Sequence, residues 1–320
     1  MNLDHPIFRQ QRLTSRILIT GGEGMLGSDA AQVAHELANF EVWAPGHTEL
    51  DVTDPDAVKR AVDWVSSGPS PGFVFHCAAL VNVEACAANV EQARRTIVDG
   101  ARHVALACQA TGTRVIYPQS FLIFGNANEL IDDDTVPEPL SVYGKLKLEA
   151  EGLFLTHTLK PLIIRMAGFF GGGKRDKNFV GRIIPVLAEA IEEGRQSFTV
   201  GDRIWQPTWT VDLARNAIAL ALADKHGTYQ MASKGEASFY EVAQVIVESL
   251  GWSDKLSLRK VEASEVEGTM NGQRPQRAVF VSKRLESEGF DLQRPWRDAL
   301  CDYLKDKFFD KYRAGASHNE

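Results

Sequence analysis

The sequence predicts an α/β fold, a doubly wound parallel sheet with a smaller C-terminal α/β lobe, and three observations carry that expectation. Short β-rich runs alternate with longer helical stretches through the first half, as helices crossing between parallel strands require. A glycine-rich turn follows the first run directly, and a second glycine run, Gly171-Gly172-Gly173, marks where the alternation loosens. The strands fall at 16–20, 40–44, 73–77, 114–117 and 161–165. The stretch after the first turn repeats its apolar positions at Ala30, Val33, Ala34 and Leu37, a helical spacing. Turn chemistry at 67–72 separates a helix from the third strand, and another helix opens near Tyr143. Later helices are expected at 179–193, 211–223, 238–250 and 296–311. The organisation expected is a flexible leader at 1–15, a first domain at 16–171 to which part of the C-terminal half returns, a second lobe mainly at 172–312, and a flexible tail at 313–320.

Composition excludes several classes. With 44% hydrophobic and 24% charged residues a sizeable core can form. The net charge of -7 argues against nucleic acid as the main partner, because phosphate backbones need a basic surface. No window approaches the ~18 uninterrupted apolar residues of a membrane span, and the leader lacks the apolar stretch of a signal peptide. Cys77, Cys86, Cys108 and Cys301 show neither a paired nor a metal-ligand spacing, so reduced thiols in a cytoplasmic protein without a metal site are expected.

Thr20-Gly21-Gly22-Glu23-Gly24-Met25-Leu26-Gly27 lies between a predicted strand and a predicted helix. In that context glycines permit a tight turn and close backbone approach to a pyrophosphate, and the helix N-terminus favours its charge. The domain is therefore read as Rossmann-type. No acid closes the second strand, which runs out as Trp43-Ala44-Pro45-Gly46-His47, and Glu41 comes too early. NADP(H), or acceptance of both dinucleotides, is favoured over NAD(H) alone; His47 faces either a 2′-phosphate or solvent.

Tyr143 and Lys147 stand four apart, on one face if the segment is helical. A tyrosine holds its proton to about pH 10 and needs a nearby positive charge to act as an acid or base near neutrality. The spacing alone equally describes a surface tyrosine beside a solvated lysine. Ser120 adds company, since it lies just past a strand at the carboxyl end, where open α/β sheets bind ligands.

Together with Leu50-Asp51-Val52-Thr53-Asp54, His76-Cys77-Ala78-Ala79 and Gly201-Asp202-Arg203-Ile204-Trp205-Gln206-Pro207-Thr208, these motifs resemble the extended short-chain dehydrogenase/reductases, and more narrowly the dTDP-4-dehydrorhamnose reductase family. Gln273-Arg274-Pro275 and Val281-Ser282-Lys283-Arg284-Leu285 also suit it, so the likeness runs from about residue 16 to about 309. The resemblance implies that Gly21, Gly24, Met25, Leu26 and Gly27 hold the pyrophosphate, that Asp51 and Val52 border the adenine, and that Cys77, Ala78 and Ala79 line the path to the nicotinamide. Ser120, Tyr143 and Lys147 would be the catalytic set, with Tyr143 and Lys147 also touching the cofactor. Ser120, Asn178, Trp205 and Arg274 would contact a nucleotide-linked sugar, and a homodimer would form through helices of the first domain.

Three departures stand out. The family pattern Ser-Thr-Asp-Tyr-Val-Phe reads Gln119-Ser120-Phe121-Leu122-Ile123-Phe124 here, Ile97 replaces an asparagine of the fourth helix, and Trp205 stands where glycine is usual. The activity expected is reduction of a 4-keto-6-deoxysugar. An epimerase could use the same three residues, and a non-catalytic relative, like the regulatory subunit of methionine adenosyltransferase, is the alternative of another class. A 4,6-dehydratase is disfavoured because Phe121 and Leu122 cannot transfer protons. The run Asp132-Asp133-Asp134 reads as a solvated loop over the site.

Overall fold

The computed structural model describes residues 15–37, 40–125, 130–267 and 277–313. The expected leader as far as residue 14, the tail from 314 and the Gln273-Arg274-Pro275 motif lie outside the described residues. The chain begins with β1 (Ser15–Thr20), α1 (Met25–Glu36), β2 (Phe40–Trp43), α2 (Pro55–Ser66) and β3 (Phe73–His76). Next come α3 (Val83–Ala88), α4 (Val90–Arg94), a π-helical turn at Arg95–Asp99, α5 (Gly100–Thr111), β4 (Arg114–Ser120), α6 (Val142–His157) and β5 (Leu162–Met166). The second half holds β6 (Phe169–Phe170), α7 (Phe179–Glu192), β7 (Ser197–Gly201), β8 (Ile204–Trp205), β9 (Thr208–Trp209) and α8 (Thr210–Leu222). It closes with β10 (Gly227–Met231), β11 (Ala237–Ser238), α9 (Phe239–Ser249), β12 (Ser257–Val261), α10 (Ala263–Glu267), α11 (Lys283–Ser287) and α12 (Trp296–Tyr303).

Six strands make one parallel sheet in the order β10-β5-β4-β3-β1-β2. Because β2 lies on one side of β1 and β3 on the other, the chain reverses direction at β1, and a crevice opens at the carboxyl ends of β1 and β3. Apolar residues cover both faces. Val58, Val62, Val104, Leu146 and Phe154 bury one face, and Ala30, Val33, Leu213, Ile218 and Leu285 bury the other. A separate core around Leu187, Trp205, Val245 and Leu300 fills the second lobe. The later half therefore supplies β10, α8 and α11 to the sheet layer.

Buried Asp29 of α1 joins the two halves. Its carboxylate accepts hydrogen bonds from the backbone N–H of Gly172, at 3.0 Å, and from the Thr210 hydroxyl at the start of α8. Only glycine fits beside it, since Gly171 has a φ of +145° and a Cβ there would fall 1.6 Å from Thr210 Oγ1. Burial raises the Asp29 carboxyl above the ordinary range, and the two hydrogen bonds hold it down in part.

Three local expectations are corrected. β4 continues to Ser120, so that residue ends the strand instead of following it; β5 pairs with β4 as far as Ser120↔Met166, well beyond the last β3 pair. The helix expected at 296–311 stops at Tyr303, because Asp306 caps a separate 3-10 turn at Lys307–Tyr312 by accepting from the Phe308 N–H. The acidic run is anchored to α11: Asp132 pairs with Lys283 at 2.6 Å, and Asp133 accepts from the Arg284 N–H at 3.0 Å.

Replacing Asp29 with alanine leaves the Gly172 N–H without this acceptor and the Thr210 hydroxyl with only the Phe170 carbonyl, at 3.2 Å. A stability loss of about 1–3 kcal/mol is expected, read as a lower Tm by calorimetry, with Asp29→Asn losing less because it keeps an acceptor.

Candidate active site

The turn from β1 to α1 is built by close backbone approach. Gly21, with a φ of +68°, lies where a Cβ would meet Ala78 Cα at 2.9 Å, and Gly27 where one would meet the Gly21 carbonyl at 2.2 Å. Gly22, absent from the expected site, is equally constrained, since its Cβ would come within 2.2 Å of the Ala44 carbonyl. Gly24 caps α1 without a side chain, which leaves the first N–H groups, including those of Met25 and Leu26, to an outside acceptor. An unobstructed backbone cradle at a helix N-terminus fits a dinucleotide pyrophosphate. The turn also touches β3: the Ala78 N–H reaches Thr20 Oγ1 at 3.3 Å and Cys77 N–H reaches the Thr20 carbonyl at 3.1 Å, which brings Cys77 and Ala78 beside Gly21.

Glu23 is a further residue the sequence reading passed over. Its carboxylate lies against Gly46, where a Cβ would come within 2.3 Å of Glu23 Cδ, so an acid does stand at the end of β2, next to exposed His47. The signal was present in the glycine turn itself, not in the strand searched for it. Asp51 accepts from the Thr53 N–H at 2.9 Å, which holds its carboxyl below the usual range, while Val52 is buried against α5 beside Gly100.

At the other side of the sheet, Ser141 caps α6 by accepting from the Gly144 N–H at 3.0 Å, placing Tyr143 and Lys147 on successive turns. Gly144 lets the helix meet the end of β4: a Cβ there would stand 2.2 Å from the Leu122 carbonyl. At this contact the Ser120 hydroxyl, which accepts from the Leu122 N–H at 3.2 Å, stands near enough to the Tyr143 phenol to influence its acidity. Burial pushes that phenol up, and Ser120 lowers it.

Lys147 is 4% exposed. Its ammonium donates to the Pro118 carbonyl at 2.8 Å and lies 3.9 Å from the centre of the Tyr117 ring. Burial pushes it down to about 7, against the opposing influence of Cys77 and Glu151. Buried His76, bonded to Thr20 Oγ1 at 2.8 Å, is pushed down to about 3 by burial and by Lys147, so it is neutral at physiological pH. Burial raises the Cys77 thiol, which is no thiolate.

The remaining expected residues divide. Asn178 donates one amide N–H to the Phe169 carbonyl at 2.8 Å, which leaves its second N–H and its oxygen for other duties. Trp205 is buried, covering Gly168 at the end of β5 and meeting Phe179 and Phe239 edge to face, and its indole N–H has no hydrogen-bond partner among the described residues. Arg274 lies outside the described residues. Ile97 falls in the π-helical turn and is buried in the same apolar cluster as Tyr143 and Leu146. Among the described residues no helix is long and apolar enough to cross a membrane.

Residues 15–308 match the family model described as RmlD substrate binding domain. A dTDP-4-keto-6-deoxy-D-glucose reductase of Streptomyces niveus is 30% identical over 293 residues, 90% of this chain and 96% of that protein. Methionine adenosyltransferase 2 subunit beta of Danio rerio is 28% identical, over 90% of each chain. The crystal structure of dTDP-4-dehydrorhamnose reductase from Bacillus anthracis in complex with NADP is similar with a TM-score of 0.78 and 26% identity, over 91% of this chain and 99% of that one.

Two glycines of α6 make opposite predictions. Alanine is the better helix former by about 1 kcal/mol, so Gly152→Ala, with nothing within 4 Å of its Cβ, should hold or raise the Tm. Gly144→Ala should lower it, as the helix is forced off the Leu122 carbonyl; equal shifts for the two variants would refute the close contact.

Proposed function

The chain belongs to the RmlD substrate binding domain family, and from that membership we propose that it is an NADP(H)-dependent 4-ketoreductase of a nucleotide-linked 4-keto-6-deoxysugar. The observation that carries the reading is the contact of Ser120 with Tyr143, one helical turn from a buried lysine, at the carboxyl end of the sheet that also presents the glycine cradle. Relatives named as reductases of dTDP-4-keto sugars, and a similar structure holding NADP, support the substrate class and the cofactor. With both Glu23 and His47 at the end of β2, acceptance of NAD(H) belongs to the same reading. We assign residues 16–171, with the returning elements, to the dinucleotide and most of 172–312 to the sugar nucleotide, in a cytoplasmic enzyme that assembles as a homodimer.

When bound, the dihydronicotinamide supplies the hydride that C4 receives. The Ser120 hydroxyl is held by the Leu122 N–H, and its proton would turn from the Tyr143 oxygen to the C4 carbonyl oxygen when substrate binds. Tyr143 donates the proton from its phenol to that oxygen, and the Lys147 ammonium, eased by the Tyr117 ring, stabilises the phenolate that results. Gly21, Gly22 and Gly27 keep the cradle open, and Met25 and Leu26 offer their N–H groups to the pyrophosphate. Trp205 shapes the sugar pocket from the second lobe. A second reading, a dinucleotide-binding subunit without turnover, has one observation in its favour: the methionine adenosyltransferase subunit matches over the same extent.

The test follows NADPH and NADH absorbance while wild type and Tyr143→Phe are offered dTDP-4-keto-6-deoxyglucose, with and without a 3,5-epimerase. Oxidation by wild type that falls by about 10²-fold or more in the variant supports the reductase; dinucleotide binding without turnover supports the subunit. The pH dependence has a definite sign. Lys147 is protonated below about 7 and neutral above it, so kcat/KM for NADPH, which reports the free enzyme, should fall as pH rises through that value. In Lys147→Met this limb should vanish from a much lower, flat profile.

A further inference from the structure

Gln119 is wholly buried, and its amide uses both donors and its oxygen. Its oxygen accepts from the backbone N–H of Ser120 at 2.8 Å. Its nitrogen donates both protons, one to the backbone carbonyl of Lys147 at 3.0 Å and one to Glu151 Oε2 at 2.7 Å. Glu151, 2% exposed, is gripped in turn by Arg165 of β5 at 2.6 Å, and Arg165 lies over the Phe124 ring at 5.6 Å. The partners fix which way the amide points, since an N–H must face an oxygen and a carbonyl must face a hydrogen.

We infer that Gln119 is a positioning residue for the reduction: one buried amide ties the backbones of Ser120 and Lys147 together and fastens both to the Glu151 and Arg165 pair. This rests on the reading of Ser120, Tyr143 and Lys147 as the catalytic set. The arrangement is particular to this chain's departure from the family pattern. A serine stands at this point of Ser-Thr-Asp-Tyr-Val-Phe, and its hydroxyl, bearing one proton on one carbon, cannot span to residues 28 and 32 positions further along while also receiving the next N–H. Glutamine can, and the same stretch carries Pro118, whose carbonyl receives the Lys147 ammonium. Neighbouring residues 118 and 119 of β4 thus hold the lysine at two points: its ammonium through Pro118 and its backbone through Gln119. The backbone that carries the Ser120 hydroxyl is fixed by the second of these, so the separation of hydroxyl and ammonium follows from a single strand end.

The test uses the full chain. Gln119→Met, close in shape but without the hydrogen bonds, is compared with wild type for kcat, for NADPH Kd by fluorescence titration, and for Tm. Gln119→Asn, which stays polar but is one methylene too short to reach Glu151, serves if the methionine variant folds poorly. Displacement of reacting groups by a fraction of an ångström to an ångström costs up to about 10²-fold in rate, so kcat is expected to fall about 10–100-fold while the NADPH Kd moves less than about threefold. A merely structural role would not show the next readout. In a Ser120→Ala background the same Gln119 substitution should cost several-fold less than in wild type, because one of the two groups it positions is gone and effects of residues acting as a unit do not multiply. A kcat within about twofold of wild type, or losses that multiply fully in the double variant, would overturn the inference while leaving the reductase standing. Absence of wild-type turnover on the keto-sugars would overturn the parent reading, and this one with it.

Discussion

A protonated amine is enclosed where the sheet ends, and much of the surrounding architecture answers to it. An ammonium removed from water is costly unless polar groups replace the solvent. Here the Pro118 carbonyl and the Tyr117 ring face Lys147, with the Glu151 carboxylate close enough to favour its charge. Each of these comes from a central element: β4 supplies the first two and α6 the third. That is why β4 extends to Ser120 alongside β5 after leaving β3: Pro118 sits beyond the last β3 pair, Phe75↔Ile116, with its carbonyl turned to the lysine.

The local signals carried the fold further than the site. The alternation of short strands and helices and the placement of the glycine turn are properties of neighbouring residues, and the sheet they imply is the sheet observed. Tyr143 and Lys147 were legible for the same reason, being one turn apart. Gly22, Gly144 and Gln119 were not, because their roles arise from the Ala44 carbonyl, the Leu122 carbonyl and Glu151, contacts that exist only once separate elements have packed. Asp132 and Asp133 misled in the same way. A run of three acids has the composition of a solvated loop, and only the approach of α11, some 150 residues later, gives it partners.

The departures from the family pattern acquire physical content in the fold. Ile97 removes a polar group from the fourth helix, and the structure spends that position on packing within a wide helical turn against the cluster of Tyr143 and Leu146. Phe121 offers no proton where an acid is usual, and it packs between two apolar clusters. The two changes leave Tyr143 in dry, apolar surroundings beside Ser120, and neither Ile97 nor Phe121 can act as the second acid that elimination chemistry needs. Trp205, in turn, fills with a ring the space that a glycine leaves at Gly168, so bulk has been placed on the second lobe instead of on the sheet.

The Asp29 junction has a thermodynamic consequence. The helix whose N-terminus closes the glycine cradle and the glycine run that opens the second lobe hang on one carboxylate, with Thr210 of a third segment on the same oxygen. A ligand that orders either side spends part of its binding free energy on a bond the other side also needs. With dinucleotide and sugar on the two sides, as proposed, the two affinities would be linked, and whatever factor the dinucleotide confers on the sugar, the sugar would return to the dinucleotide.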